Sequence, residues 1–137
     1  MAGNAGYSCT PLAKKLGIKS GFTLCLVDAP DYYLSLFDDM PAGVDFTNDL
    51  HTPKDLIHFF VTDKQTLLTL LPEMRAELKP NGIIWVSWPK KASKVVTDIT
   101  EDAIRNYALS IDLVDIKVCA VDEVWSGLKL VIPVKLR

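Results

Sequence analysis

The sequence predicts an α/β fold: a mostly parallel sheet sandwiched between helices, with an antiparallel hairpin at its C-terminal end. Three observations predict it. The runs at 22–27, 56–61 and 83–88 are almost continuously apolar, as expected of strands covered on both faces. Between them lie segments whose apolar residues recur at three- and four-residue spacing, as in amphipathic helices. Near the end, Val114, Ile116, Val118 and Ala120 alternate with Asp115 and Lys117, and a second apolar run follows a short turn.

Each element has its own signals. Residues 10–18 predict a short helix: Thr10 stands at the cap position, Pro11 suits the first helical turn, and Leu12 and Leu16 share a face. Gly17 offers the left-handed C′ conformation, and Ile18 can pack back on the helix. The strand at 22–27 stops at Asp28-Ala29-Pro30-Asp31. Tyr33, Leu34, Phe37 and Met40 predict a helix over 31–40, ended by Pro41 and Gly43, and 44–46 reads as a short strand. After the strand at 56–61, Thr62 or Asp63 can cap a helix carrying Leu67, Leu70, Leu71, Met74 and Leu78. Pro72 predicts a kink or a break in it, and Pro80-Asn81-Gly82 closes it. The strand at 83–88 leads into the loop Pro89-Lys90-Lys91-Ala92-Ser93. A helix begins near Asp98 or Thr100, with Asp98 and Glu101 fitting a capping box, and buries Ala103, Ile104, Tyr107, Ala108 and Ile111. Residues 113–124 predict a strand, Trp125-Ser126-Gly127 a turn, and 128–132 its antiparallel partner, weakened at Pro133.

With 137 residues the chain is expected to be one domain over 1–137, residues 1–9 being a flexible lead-in. Hydrophobic residues make up 49% and charged residues 23%, which excludes an intrinsically disordered class. Fifteen Lys and Arg against seventeen Asp and Glu give a net charge of −2, so no nucleic-acid partner is expected. No apolar run reaches the roughly 18 residues of a membrane span, and no secretory signal is visible at the start. Cysteines at 9, 25 and 119 lack CxxC spacing, so neither a disulfide framework nor a zinc site is expected; Cys25 and Cys119 read as small core residues. A reducing cytoplasm is the default location. Charge is uneven: residues 28–63 hold eight Asp and one Lys, while 90–94 hold three Lys and no acid. Solvated loops account for this most simply, and a basic loop facing an anion is the sharper reading.

The order of elements resembles the class I S-adenosylmethionine-dependent methyltransferase fold, a Rossmann-like three-layer sandwich. The resemblance rests on residues 12–21 leading into the first strand, on Glu77-Leu78-Lys79-Pro80-Asn81-Gly82 leading at once into the strand at 83–88, and on the terminal hairpin. The chain is also similar to short bacterial proteins known only as a domain-of-unknown-function family. That similarity lies in Gly6-Tyr7-Ser8, residues 10–17, Trp88-Pro89-Lys90-Lys91-Ala92-Ser93, residues 118–123 and residues 125–129. It implies a minimal fold and a bacterial origin, and no activity.

Departures from a working methyltransferase follow. The acidic residue after the first strand is normally followed by a glycine-rich turn that lets the backbone approach the cofactor. Here it reads Asp28-Ala29-Pro30-Asp31, without glycine, and Pro30 also removes an N–H. Between Phe46 and Leu56 there is no room for the usual helix and third strand, and only Asp45 or Asn48 could hold a ribose. Ordinary S-adenosylmethionine binding is therefore not expected.

In open α/β sheets ligands sit beyond the carboxyl ends of the strands. The loops converging there supply the candidate ligand-binding residues Asp28, Pro30, Ser87, Trp88, Lys90, Lys91, Ser93, Glu123, Trp125 and Ser126, with Tyr7 and Ser8 able to fold over the same edge. Lys90 and Lys91 could hold a phosphate or carboxylate, and Trp88 and Trp125 could stack on a planar ring. Lysines in water and tryptophans packed under loops stand ahead of those readings, and Asp122 and Glu123 could pair with the lysines instead. No catalytic residue is assigned. GxSxG and GxxxxGK are absent, His58 reads as a residue at the core edge, and Cys9 has no identified base. The preferred expectation is a non-catalytic domain that binds a small anionic ligand or a protein partner. One alternative is an atypical S-adenosylmethionine-dependent methyltransferase, with Asp28 as ribose or amino-group acceptor and Ser87 or Trp88 lining the methyl channel. The other is a homodimeric interaction module using the sheet edge or the Tyr32/Tyr33 helix.

Overall fold

A computed structural model describes residues 10–137; the expectations for residues 1–9, including Tyr7, Ser8 and Cys9, lie outside the described residues. The elements run α1 (Leu12–Leu16), β1 (Thr23–Val27), β2 (Asp45–Phe46), β3 (Lys54–Phe60), α2 (Lys64–Glu77), β4 (Leu78–Pro89), α3 (Glu101–Ser110), β5 (Val114–Ala120) and β6 (Trp125–Val131). They form a six-stranded sheet in the order β2-β1-β3-β4-β6-β5. The first three pairings are parallel and the last two antiparallel, as the apolar runs and the terminal hairpin predict. No helix among the described residues is long and apolar enough to cross a membrane.

Side chains alternate across the sheet, so each strand feeds two cores. Ile57, Phe59, Ile84, Val86, Leu128 and Leu130 face α2 and α3, meeting Leu67, Leu71, Met74, Ile104 and Ala108. Leu24, Leu56 and Trp85 face the other way and meet Ala13, Leu16 and Ile18 around α1. Trp85 has no solvent exposure, and its indole N–H donates to the Leu16 carbonyl at 2.8 Å, satisfying the one polar atom of that ring. Gly17 takes φ 84° and Ile18 N–H returns to the Ala13 carbonyl at 2.9 Å, ending α1 as its sequence predicts.

Several elements differ from the sequence expectation for identifiable reasons. Residues 31–40 form one 3-10 turn, Tyr33–Leu36, and not a helix. Asp39, beyond that turn, is drawn to α1 instead. Its carboxylate accepts from Ala13 N–H and Lys14 N–H, both at 3.2 Å, and caps α1 in place of Thr10. Thr100, whose side chain accepts from Ala103 N–H at 3.1 Å, caps α3, while Asp98 accepts from Lys64 N–H at 2.8 Å at the start of α2. β4 begins at Leu78, so Pro80-Asn81-Gly82 lies within a strand. A Cβ on Gly82 would stand 2.7 Å from Leu78 Cδ1 and 3.1 Å from the Asp55 carbonyl oxygen, so the bare backbone is required there. Residues 125–127 are strand, and the hairpin turn falls earlier, where Asp122 Oδ1 accepts from the N–H groups of Val124 and Trp125, both at 2.8 Å.

Helix α2 passes through Pro72 unbroken. A proline there cannot donate to the carbonyl four residues back, at Leu68. The Tyr107 hydroxyl of α3 donates to that carbonyl at 2.8 Å and replaces the missing bond. Tyr107→Phe is expected to cost about 0.5–1.5 kcal/mol in a urea melt, and Pro72→Ala, which restores the N–H, to shrink that cost in the double variant. Equal costs in both backgrounds would show that the hydroxyl does not stand in for the proline.

Candidate functional site

The carboxyl ends of β1, β3 and β4 point to one edge of the sheet. The chain turns there after β1 and continues to opposite sides of it, to β2 and then to β3, so this edge is the topological switch point. On its α1 side the edge is filled by the protein itself. Tyr33, only 2% exposed, stands over β3, with its hydroxyl oxygen 2.9 Å from His58 Nδ1. His58 Nε2 is 2.8 Å from Ser87 Oγ, and both residues are fully buried. Phe60 stacks on His58 at 4.3 Å and meets Trp125 edge-on at 5.1 Å. Either neutral tautomer of His58 has a hydroxyl for each ring nitrogen, so the network is complete without a charge.

Burial lowers the His58 pKa from 6.5 to about 3 and pushes the Tyr33 phenol well above its ordinary value. His58 is therefore neutral in the fold and protonated in the unfolded chain below pH 6.5. The unfolded state binds the extra proton, so stability is complete above 6.5 and declines as pH falls toward 3. A slope of up to about 1.4 kcal/mol per pH unit is expected over that window from this residue, and His58→Gln should remove it. Urea melts from pH 7 to 4 check this, and an unchanged slope in the variant would contradict it.

The α2 side of the same edge is open. No helix or third strand separates β2 from β3, as the short stretch between Phe46 and Leu56 implies, so the α2-facing side of β1 lacks a full cover. A cavity of 330 Å³ occupies the space. Its apolar wall includes Val27, Ile57, Leu70 and Met74, and its polar groups are Asp28, Asn48, Glu73 and Glu77. Asp28 sits at the end of β1 with φ 56°, in the left-handed region. Aspartate is one of the few residues besides glycine that accept this conformation, so the chain turns at Asp28 itself, while Ala29 and Pro30 follow where glycines are expected. Glu77 is committed to an ion pair with Lys54, which has no solvent exposure. Asp28, Asn48 and Glu73 remain as groups able to accept from a ligand in the cavity. Burial raises the pKa of the Cys25 thiol in the wall, the nearby Lys54 charge opposing and Glu77 adding to the shift, so Cys25 is an apolar contact and not a thiolate.

The candidate residues do not form one rim. Asp28 borders the cavity. The Pro30 carbonyl accepts from Tyr33 N–H at 3.0 Å and starts the 3-10 turn. Ser87 is sealed against His58 and cannot line a channel. Trp88 packs in the α2-side core while Trp125 meets Phe60 on the α1 side, so the two indoles lie on opposite faces and cannot sandwich a ring. Lys90 N–H donates to the Val124 carbonyl at 2.8 Å and Ser93 Oγ to the Lys90 carbonyl at 2.6 Å, tying that loop to the hairpin turn. Lys91 and Glu123 are exposed and Ser126 half-buried. Among the described residues no cluster of His, Cys, Asp and Glu could hold a metal ion. Sequence reasoning misses Glu73 and Met74 as cavity residues and the Tyr33–His58–Ser87 chain. The one local signal is a histidine in the middle of an apolar run.

Comparison with solved structures gives this architecture its name. A ribosomal protein L11 methylase from Lactobacillus delbrueckii subsp. bulgaricus superposes with a TM-score of 0.57 at 13% identity, over 85% of this chain and 72% of that one. The N-methyltransferase NodS from Bradyrhizobium japonicum, in complex with S-adenosylhomocysteine, gives 0.52 at 15% identity, over 81% and 77%. The 1,6-didemethyltoxoflavin-N1-methyltransferase of Burkholderia thailandensis, also with S-adenosylhomocysteine, gives 0.55 at 11% identity, over 87% and 73%. The fold is that of the class I S-adenosylmethionine-dependent methyltransferases. No protein-family model and no curated protein matches the chain. These methyltransferase neighbours correct the expectation of a non-catalytic module binding an anionic ligand or a protein at this edge. The charged groups lining the cavity are carboxylates and not lysines, which does not suit an anionic ligand there.

Proposed function

We propose that this chain is an S-adenosylmethionine-dependent methyltransferase whose cofactor occupies the cavity between β1 and α2. The observation that carries the reading is Asp28, held in a left-handed turn at the switch point and lining a 330 Å³ cavity. The donor set fits the group. S-adenosylmethionine presents a sulfonium and an ammonium cation, a ribose diol and a planar purine. Asp28 and Glu73 are anionic acceptors for cations or diol hydroxyls, Asn48 offers both a donor and an acceptor, and Val27, Leu70 and Met74 give a purine an apolar surface. When bound, the cofactor would supply an electrophilic methyl group. The chain's part is to bind and orient: Asp28 fixes the ligand at the strand ends, and the apolar wall excludes water from its buried side.

Lys90 and Lys91 have no place in this reading, and the Tyr33–His58–Ser87 chain acts as the packed backing of the edge. Equilibrium dialysis with labelled S-adenosylmethionine tests the proposal. Saturable binding at submillimolar concentration, competed by S-adenosylhomocysteine, is expected. No binding at millimolar concentration would end it.

A further inference from the structure

We infer that the α1 side of the β5–β6 pair is an oxyanion site of the phosphate class, built by Lys19, Lys117 and Lys129. Lys117 and Lys129 are register partners on adjacent antiparallel strands, and Trp85, wholly buried, is the partner of Lys129 on its other side. Directly opposed like charges destabilise a sheet, so an unliganded pair of lysines is a poor structural choice there. Lys129 is half-buried; its pKa is lowered by that burial first and then by the Lys117 and Lys19 charges, so both of those ammonium groups act on that of Lys129. Lys15 adds a fourth nearby, its Nζ donating to the Ala120 carbonyl at the end of β5 at 2.9 Å.

No carboxylate answers this charge. Lys54, Lys79 and Arg105 are all ion-paired, whereas Lys19, Lys117 and Lys129 have no ion pair among the described residues. Residues 1–9 contain neither Asp nor Glu, so they cannot supply one. A chain with two more acidic than basic residues has thus left three lysines together and free of acids. Ammonium groups on flexible stems suit the several oxygens of a phosphate, each lysine offering up to three donors. The site is on the opposite face of the sheet from the Asp28 cavity and does not depend on the proposed cofactor.

The test is titration of the whole chain with inorganic pyrophosphate at constant ionic strength, read by amide NMR shifts and thermal melting, with a single-stranded oligonucleotide in a parallel arm. Shifts centred on Lys19, Lys117 and Lys129 and a raised melting temperature are expected. Lys129→Met should weaken binding at least tenfold and, without anion, melt no lower than the wild type. Lys117→Gln, on the exposed edge strand, should also weaken binding should Lys129→Met fail to fold. An oligonucleotide that binds more tightly than pyrophosphate, and depends on the same lysines, assigns the phosphate to a nucleic-acid backbone. Tighter pyrophosphate binding assigns it to a small molecule. Pyrophosphate shifts no larger than those from chloride, or binding unchanged in the folded variants, would overturn the site.

Discussion

Replacing Asp28 with alanine is expected to weaken S-adenosylmethionine binding by roughly ten- to a hundredfold, measured by equilibrium dialysis. The size follows from losing a charge-assisted hydrogen bond, about 1.5–3 kcal/mol. Asp28 also carries a backbone cost, because φ 56° disfavours a side chain. Asp28→Gly should therefore bind as poorly as Asp28→Ala but unfold at higher urea than Asp28→Ala, since glycine relieves the strain that alanine keeps. Asp28→Asn keeps a residue suited to the turn and removes only the charge, so it should lie between Asp28→Ala and the wild type in affinity. Wild-type affinity in Asp28→Ala would remove the carboxylate from the site. Equal affinity loss with unequal stability in the glycine and alanine variants is what separates the carboxylate's binding role from the backbone cost of the turn.

The largest stability effect is expected at the Lys54–Glu77 pair. Lys54 is fully buried, and its ammonium donates to Glu77 and to the Asp49 carbonyl. The pair ties β3 to the end of α2, where a glutamate alone would oppose the helix dipole. Glu77→Ala leaves a buried ammonium without its counter-charge, and a loss of about 3–5 kcal/mol is expected in urea melts. That is a large share of the roughly 5–15 kcal/mol typical of a domain. Replacing both partners with apolar residues, Lys54→Met with Glu77→Leu, should recover most of it, because no charge then remains to be desolvated. A loss below about 1 kcal/mol in Glu77→Ala would mean that the pair is solvated and incidental.

Much of the fold is legible in the sequence because its determinants are local. Continuous apolar runs specify β1, β3 and β4, helical spacing specifies α2 and α3, and Gly17 ends α1. What escapes a local reading depends on partners far along the chain. Pro72 predicts a kink or a break, and the hydroxyl that takes up the freed Leu68 carbonyl comes from Tyr107, beyond β4. Residues 31–40 have helical spacing, but Asp39 is drawn to α1 and Tyr33 to His58, 25 residues away. The site is half legible. Asp28 stands out at the end of the first apolar run, but its left-handed backbone does not, because no local pattern in the sequence marks it. The missing helix before β3 is visible as a short stretch that suggests loss of a site, whereas in three dimensions it uncovers the side of β1 and opens the cavity.

The most direct measurement is the amide NMR spectrum of the isotope-labelled chain titrated with S-adenosylhomocysteine. Shifts confined to Cys25, Leu26, Val27, Asp28, Asn48, Leu70, Glu73 and Met74 are predicted, with Trp125 and its neighbours unmoved. Shifts centred instead on Trp125 and the loop carrying Lys90, or none at saturating ligand, would contradict the placement of the cofactor between β1 and α2.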